Sequence, residues 1–195
     1  MTGADRTRWD QIYKEIAETE YPTPDPLLYD YTPPLRDQEE HRALDLACGL
    51  GQNGLWLAEQ GYLVDLLDVS RVALLRAQAE AGKRGLRNFN LYPVDFDQHE
   101  FPENHYELVC VIRYLKRDLF TPLRRTVKPG GRIMYETFNT RYLELVPGFN
   151  PVYLLEPGEL LGYFADWKIL TIMEDTHVSR VVAIKPEKPA PTPSP

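Results

Sequence analysis

Three closely spaced glycines and one acidic residue are the part of this sequence best suited to hold a small molecule. Residues 43–54 read ALDLACGLGQNG, which places Gly49, Gly51 and Gly54 in the spacing G-x-G-x-x-G. Glycine allows a tight turn and lets the backbone approach a ligand with no Cβ in the way. Asp68 follows about 20 residues after the first glycine, at the offset of a carboxylate that binds ribose hydroxyls. This combination predicts a site for a cofactor that contains a ribose.

The segments around the glycines alternate between strand and helix patterns. We predict strands at five apolar runs, RALDLAC, YLVDLLDV, NFNLYPV, YELVCVI and RIMYETF. Helical patterns follow the first, second and fourth of these runs, and Ser70 is a suitable N-cap for the second helix. Such alternation is typical of βαβ units, and therefore of a doubly wound α/β fold with a mostly parallel sheet. In this fold ligands bind at the carboxyl ends of the strands, where the glycine loop begins.

The carboxyl-terminal part of the chain departs from that alternation. Two further strand patterns, WKILTIME and VSRVVAIK, are separated by about four residues, whereas a parallel pair requires a crossover of a dozen or more. We therefore expect these strands to form an antiparallel hairpin or to lie apart. Residues 40–185 then form one cofactor-binding domain. Residues 186–195 are rich in proline and carry no large apolar residue, so we expect a disordered tail.

Residues 1–39 form an N-terminal extension of different character. Large apolar residues recur at helical spacing across residues 5–19, which predicts an amphipathic helix. Residues 21–34 are rich in proline, so we expect an extended, tyrosine-rich connector there and neither a helix nor a central strand. Aromatic residues of this extension, among them Trp9 and Tyr13, are available to cover a site, so we expect the extension to lie over the site.

Composition and charge narrow the class of partner. The 195-residue chain has a formal net charge of −7 and a pI near 5.2, which disfavours nucleic acid because phosphate backbones repel a negative protein. No apolar run approaches the roughly 18 residues of a membrane helix, and the N-terminus lacks the apolar core of a secretory signal. Cys48 and Cys110 each lie in an apolar run. We therefore expect two buried thiols, a reducing cytoplasmic setting and no metal site. For the assembly, we expect a monomer or a homodimer.

The glycine loop alone leaves several cofactors open, since NAD, FAD and S-adenosylmethionine all contain a ribose. Asp95 closes the third strand pattern, where its carboxylate would accept from the exocyclic amine of adenine. A KPGG turn precedes the fifth strand, and the segment after that strand is too short for the catalytic domain that dehydrogenases usually carry. These features favour S-adenosylmethionine. A nicotinamide- or flavin-dependent oxidoreductase stays as an alternative at this point.

Taken together, ALDLACGLGQNG, LLDVS, VDFD, YELVCVI and VKPGGRIMYETF resemble the class I S-adenosylmethionine-dependent methyltransferases over about residues 42–185. Within that class, RWDQIY, ACGLGQNGLWLAEQGY and the run from RYLKRDLF to LEPGELL are similar to bacterial small-molecule methyltransferases of the tellurite-resistance type. The resemblance implies a three-layer α/β/α, Rossmann-like fold with strand order 3-2-1-4-5-7-6 and an antiparallel strand 7. It also implies S-adenosyl-L-methionine as the cofactor.

The resemblance assigns roles to residues of this chain. Those expected around the cofactor are Asp45, Cys48, Gly49, Gly51, Asn53, Asp68, Val69, Ser70, Asp95, Phe96 and Arg113. Asp68 would hold the ribose hydroxyls, Asp95 would bind the adenine amine, and Arg113 would face the methionine end or the substrate. The candidates on the substrate side are Arg113, Tyr114, Glu136 and Asn139. Two positions depart from the family pattern, because Ala47 replaces a frequent glycine and Leu50 replaces a small residue.

The chemistry implied by this resemblance is methyl transfer by in-line displacement, in which the cofactor supplies the reactivity. The protein must hold the nucleophile about 3–3.5 Å from the methyl carbon and exclude water. A general base is required only where the nucleophile is protonated at the working pH. We therefore predict methyl transfer to a small-molecule acceptor, such as a thiol, an oxyanion or a similar nucleophile. A non-catalytic protein that binds S-adenosylmethionine is the alternative that keeps the same fold.

Overall fold

The computed structural model describes residues 3–187 except residues 17–20, 36, 38 and 175. Its strands are β1 (Arg42–Leu46), β2 (Leu63–Asp68), β3 (Phe89–Pro93), β4 (Tyr106–Ile112), β5 (Val127–Phe138), β6 (Lys168–Met173) and β7 (Val178–Ile184). They form one seven-stranded sheet in the order β3-β2-β1-β4-β5-β7-β6. β7 runs antiparallel to β5 and β6, while the other neighbouring pairs are parallel. The predicted doubly wound fold, its strand order and its antiparallel seventh strand are confirmed.

Helices flank both faces of this sheet. The α-helices of the described residues are α1 (Gly3–Glu15), α2 (Pro26–Tyr31), α3 (Gln52–Glu59), α4 (Arg71–Arg84), α5 (Phe120–Thr126) and α6 (Glu159–Phe164). Short 3-10 helices lie at Arg117–Leu119, Thr140–Glu144 and Pro151–Tyr153. α4 begins as predicted, because the Ser70 hydroxyl oxygen accepts the amide of Ala73 at 3.1 Å. It ends at Gly85, whose φ of 71° terminates the helix.

Two apolar layers cover the two faces of the sheet. In β4, Val109 and Val111 belong to one layer and Leu108 and Cys110 to the other, since alternate residues of a strand point to opposite faces. α5 and α6 pack in the first layer. α2, α3 and α4 pack in the second. Cys110 and the loop residue Cys48 are both free and buried, so the prediction of two buried thiols is confirmed.

The prediction of an extended connector over residues 21–34 is wrong at α2. Pro26 occupies the first helical turn, where its fixed φ suits a helix and its missing amide hydrogen is not needed. Asp25 caps this helix, because its Oδ1 accepts the amide of Leu27 at 2.9 Å. Leu27 and Leu28 then enter the second apolar layer with exposed fractions of 2% and 0%. Tertiary burial of these two leucines stabilises a helix that is too short to form alone.

The KPGG segment is also not the turn that its composition predicts. Residues 128–131 already belong to β5. Gly130 donates its amide to the carbonyl of Lys185 at 2.9 Å, and Lys185 donates its own amide to the carbonyl of Gly131 at 2.9 Å. The register between β4 and β5 shifts beside this segment, where Gly130 has a φ of 76°. The glycines therefore permit an irregularity within a paired strand, with no chain reversal.

Two further expectations lie partly outside the described residues. α1 ends at Glu15, and the predicted continuation of this helix falls on residues 17–20, which are not described. Of the predicted tail, residues 188–195 are likewise not described.

Replacement of Leu28 by alanine tests whether α2 is part of the core. We expect Leu28→Ala to lower the free energy of unfolding by about 2–5 kcal/mol, because it leaves a cavity in the second apolar layer. Leu145→Ala is the matched control, since Leu145 is 60% exposed, and it should change stability by less than about 0.5 kcal/mol. Urea denaturation measures both variants. Equal effects would show that α2 is only loosely associated with the sheet.

Candidate active site

One carboxylate joins the glycine loop to the end of β2. Asp68 is the last residue of β2 and is 6% exposed. Its Oδ2 accepts the amide of Gly49 at 2.8 Å, and its Oδ1 accepts the amide of Ser70 at 2.8 Å. Burial raises the pKa of Asp68, the backbone amides oppose this effect, and the Asp10 carboxylate raises the pKa further. Three of the predicted cofactor residues therefore form one hydrogen-bonded unit.

The loop between β1 and α3 is a left-handed turn at the carboxyl edge of the sheet. Ala47, Gly49 and Gly51 have φ values of 53°, 56° and 82°. A Cβ on Gly51 would lie 2.8 Å from Cδ2 of Leu66, so both the backbone conformation and the close packing require glycine here. Ala47 adopts the same conformation with a side chain, at a cost of about 1–2 kcal/mol. The surrounding contacts therefore hold this loop in one strained shape.

Asp45 lies beneath the glycine loop and fixes the start of α3. Its side chain is 1% exposed, and its Oδ2 accepts the amide of Gly54 at 2.7 Å. A Cβ on Gly54 would lie 3.0 Å from that oxygen, so the third glycine of the motif serves a close approach. Burial raises the pKa of Asp45 to about 7; the Gly54 amide lowers it and the Asp68 charge raises it further. Asp45 therefore supports the loop from the sheet side.

Two other residues predicted around the cofactor are buried within the protein. Cys48 is 4% exposed, and burial raises the pKa of its thiol well above the usual range. It therefore stays protonated at neutral pH and is a poor nucleophile. Asn53 is 3% exposed, and its Oδ1 accepts the amide of Asp25 at 2.8 Å. Asn53 thus connects α3 to the residue that caps α2.

The residues predicted beside adenine follow β2 and β3. Val69 and Phe96 are buried, with exposed fractions of 2% and 3%. The ring of Phe96 lies 5.5 Å from the ring of Tyr114, which follows β4. Asp95 is half-buried, and its Oδ1 accepts the amide of Asp97 at 3.0 Å. This part of the edge therefore offers apolar walls and one carboxylate.

Among the residues predicted for the substrate side, an exposed arginine adjoins an ion pair between a buried glutamate and a half-buried arginine. Arg113 follows β4 with a φ of 58° and donates its amide to the carbonyl of Glu136 at 2.7 Å. The Glu136 side chain is largely buried, and its Oε2 accepts from Nε of Arg180 at 2.7 Å. Burial and the nearby Asp25 charge raise the pKa of Glu136, while Arg180 and Arg113 oppose this shift. The Glu136 charge is thus partnered within the protein, whereas the Arg113 side chain faces solvent.

Asn139, the remaining substrate-side candidate, is enclosed by the chain. It is 0% exposed, its Nδ2 donates to the carbonyl of Thr176 at 3.0 Å, and its Oδ1 accepts the amide of Arg141 at 3.0 Å. This side chain caps the 3-10 helix that follows β5. Of the substrate-side candidates, Arg113 is exposed, Tyr114 is half-buried, and Glu136 and Asn139 are buried.

The N-terminal extension lies against the glycine loop. A Cβ on Gly49 would lie 2.6 Å from the hydroxyl oxygen of Tyr13, so this tyrosine packs directly on the loop. The hydroxyl of Tyr21 donates to the carbonyl of Leu50, the next residue. Burial, with a contribution from the Asp68 charge, raises the pKa of Tyr13 above its usual range. Both tyrosines are therefore un-ionised at neutral pH and contact successive residues of the loop.

Sequence reasoning missed two residues near the site. Asp10 accepts the hydroxyl of Ser70 at 2.6 Å and the amide of Val72 at 3.2 Å. Arg180 reaches Glu136 because β7 pairs antiparallel with β5 and brings these residues opposite each other. Asp10 precedes Tyr13 by three residues, so the sequence alone could have placed both side chains on the same face of α1. Its partners, however, lie about 60 residues away and depend on how α1 docks on α4.

The described residues bring together no group of three or more His, Cys, Asp or Glu side chains that could hold a metal ion. In the same part of the chain, no helix is both long and apolar enough to cross a membrane. Burial lowers the pKa of His99, whose ring packs edge-on against Phe101 at 4.6 Å.

Comparison with known proteins agrees with this geometry. Residues 43–131 match a family model described as a methyltransferase domain. A thiopurine S-methyltransferase from Vibrio parahaemolyticus is 24% identical over 168 residues, covering 77% of this chain and 76% of that protein. The structure of TehB from Haemophilus influenzae has a TM-score of 0.65 and 18% identity over 76% of this chain and 58% of that chain. Geranyl diphosphate C-methyltransferase from Streptomyces coelicolor A3(2), solved with S-adenosyl-L-homocysteine, has a TM-score of 0.62 and 16% identity over 76% and 71% of the two chains.

The family match falls on the segment that carries the glycine loop, β2, α4, β3 and β4, and the sheet has the strand order implied by the resemblance. The matched segment is similar to a methyltransferase domain, and the comparisons support an S-adenosylmethionine-dependent methyltransferase with S-adenosyl-L-methionine as its cofactor.

The residues at the carboxyl edge fit this cofactor. Because Gly49 and Gly51 lack a Cβ, the Tyr13 hydroxyl and the Leu66 side chain pack directly against the turn and hold its backbone at the edge of the sheet. Each Asp68 oxygen accepts a backbone amide and retains capacity for a further hydrogen bond, as vicinal hydroxyls require. Val69 and Phe96 provide apolar surface next to this carboxylate.

The raised pKa of Asp45 predicts a pH dependence of stability. An acid whose folded pKa is raised stabilises the fold when protonated, so this contribution is lost as pH rises from its ordinary value of 3.8 to about 7. We expect Asp45→Asn to gain stability relative to the native chain across that window, by up to about 4 kcal/mol. The amide oxygen still accepts from Gly54. Denaturant unfolding at several pH values measures the difference.

Asp118→Asn is the control for this experiment, because the Asp118 side chain is 87% exposed. Its stability profile should run parallel to that of the native chain. A parallel profile for Asp45→Asn as well would show that Asp45 is ionised without cost in the folded protein.

Proposed function

We propose that this enzyme transfers a methyl group to a small, anionic or polarizable acceptor, such as a thiolate or an oxyanion. The observation that carries the proposal is Arg113, an exposed cation directly after β4 that borders the buried pair of Glu136 and Arg180. The net charge of −7 disfavours a nucleic-acid acceptor. The relatives named for thiopurine and geranyl diphosphate methylation support a small molecule as the acceptor class.

We propose that the nucleoside part of the cofactor binds at Asp68. The residues proposed around it are Val69, Ser70, Asp95 and Phe96. The carboxylate of Asp68 would accept from the ribose hydroxyls, since its position at the end of β2 is the usual one for such a residue. When bound, S-adenosylmethionine supplies an electrophilic methyl group on a sulfonium.

We propose that the glycine loop and the N-terminal extension enclose the methionine part of the cofactor. Tyr13 and Tyr21 pack on Gly49 and Leu50 and so restrict access of water to the loop. We propose that residues 1–39 act as a lid over the domain formed by residues 40–185. Exclusion of water strengthens the electrostatic contacts of the site and prevents competing reactions.

Arg113 is the proposed group that binds the acceptor. The Glu136 carboxylate is held by Arg180, so it is not required to neutralise Arg113. A guanidinium attracts an anionic acceptor and orients it through charge-assisted hydrogen bonds. A thiolate or oxyanion is already deprotonated, and no general base is then needed.

The cofactor assignment is tested by thermal stability in the presence of S-adenosylmethionine, S-adenosylhomocysteine, NADH and FAD. A sulfur nucleoside at 100 times its dissociation constant should stabilise the protein by roughly 2.7 kcal/mol. Asp68→Ala should abolish most of this shift because it removes the ribose acceptor, while Asp118→Asn should retain it. Circular dichroism checks that each variant is folded. A shift with NADH alone would exclude the assignment, and unchanged affinity of Asp68→Ala would remove its proposed role.

The role of Arg113 is tested with thiophenol, benzoate and aniline as matched thiol, oxyanion and amine probes. We expect turnover to favour thiophenol, and Arg113→Gln to raise its KM about tenfold or more, the effect of losing a charged hydrogen bond. Cofactor affinity should not change. Arg141→Gln is the control, since Arg141 is also an exposed cation beyond the sheet edge. Preference for aniline, or equal KM values in both variants, would refute an anionic acceptor bound by Arg113.

A further inference from the structure

α1 and α4 cap each other. At the start of α4, the Asp10 carboxylate accepts the Ser70 hydroxyl at 2.6 Å and the Val72 amide at 3.2 Å. At the end of α1, the Arg76 guanidinium donates to the carbonyl of Tyr13 at 2.8 Å and to that of Ile16 at 3.1 Å. Helix ends leave amides and carbonyls without intrahelical partners. Each helix therefore satisfies the open end of the other.

These polar contacts hold a helix that has little apolar anchorage. From Asp5 to Glu15, every side chain of α1 is half-buried or exposed. Along the seam with α4, Ile16 is 42% exposed and Leu75 is 63% exposed. Elements with few buried apolar contacts open at lower free energy than the core. No described α1 residue belongs to either apolar layer, so the hydrogen bonds that attach α1 can break without disturbing those layers.

The same contacts touch the cofactor site at two points. Ser70, the partner of Asp10, also donates its amide to Asp68 at 2.8 Å. The Asp10 charge raises the pKa of Asp68, which places the two carboxylates within electrostatic reach. One helical turn later, the Tyr13 hydroxyl packs on Gly49. α1 therefore cannot dock or leave without changing the surroundings of both Asp68 and the glycine loop.

We propose that the reciprocal caps formed by Asp10 and Arg76 are a releasable latch that closes α1 over bound cofactor. This inference rests on the proposed lid and cofactor site. In the latched state Tyr13 and Asp10 cover the loop and the end of β2, so the cofactor leaves only after the caps open. The latch thereby controls the dissociation of the cofactor and of its demethylated product.

The test measures S-adenosylhomocysteine dissociation by stopped flow in Asp10→Ala and Arg76→Ala. Loss of a helix cap should raise the dissociation rate about fivefold in each variant. Gln11→Ala on α1 and Gln78→Ala on α4 are matched controls, because both side chains are exposed and neither contributes to the caps. Their dissociation rates should equal that of the native chain. Unchanged dissociation with faster association in the cap variants would overturn the proposal, since α1 would then act as a plug against entry.

Hydrogen exchange of the ligand-free protein tests the latch without any cofactor. Amides of α1 should exchange about fivefold faster in Asp10→Ala and Arg76→Ala, while amides of β1, β4 and β5 keep their protection. Unaltered exchange of α1 would show that the caps do not hold the helix, and the latch would be refuted. If S-adenosylhomocysteine did not bind but α1 exchanged faster in the two variants, the caps would still be shown to hold α1. That result would refute the proposed cofactor site and the control of dissociation.

Discussion

The site depends on one buried carboxylate that bridges two strand ends. Asp68 accepts the amide of Gly49 from the loop after β1 and the amide of Ser70 from the start of α4. β1 and β2 are neighbouring parallel strands, so their carboxyl ends meet at the same edge. A buried carboxylate is costly unless hydrogen bonds satisfy it. The left-handed loop satisfies one oxygen through Gly49, and the start of α4 satisfies the other through Ser70. The shape of the loop is therefore coupled to the position of the Asp68 carboxylate.

Around this bridge, the chain supports the loop from both sides. From the sheet, Asp45 holds the start of α3 through Gly54. From outside, Tyr13, Tyr21 and the backbone of Asp25 contact successive parts of the loop and of α3. The N-terminal residues are consequently of two kinds. α2 is part of the core through two buried leucines, whereas α1 lies outside both apolar layers and makes polar cap contacts with α4. The core contacts of the N-terminal residues therefore lie in α2, while α1 provides the contacts with the start of α4 and with Gly49.

The region around the end of β5 contains a different kind of charged contact. Glu136 and Arg180 meet through the antiparallel pairing of β5 with β7, and this pair is largely buried. Truncating one partner of a buried pair is expensive because it leaves the other charge uncompensated. The pair of Glu136 and Arg180 is therefore held in place, whereas the side chain of Arg113 beside it is exposed to solvent. Asn139, which sequence position alone suggested for the substrate side, is used to cap the chain after β5.

The strand order was implied by the family resemblance. Sequence by itself determined the alternation of strands and helices, the helix cap at Ser70, and the placement of the glycine loop and Asp68 at one edge of the sheet. Those features are local or follow from strand alternation, so periodicity and spacing suffice to predict them. Tertiary structure alone decided that Pro26 begins a buried helix, that KPGG lies within β5, and that Asp10 and Arg180 reach the site. The physical reason is that each of these outcomes depends on a partner far along the chain, whose position no local pattern encodes.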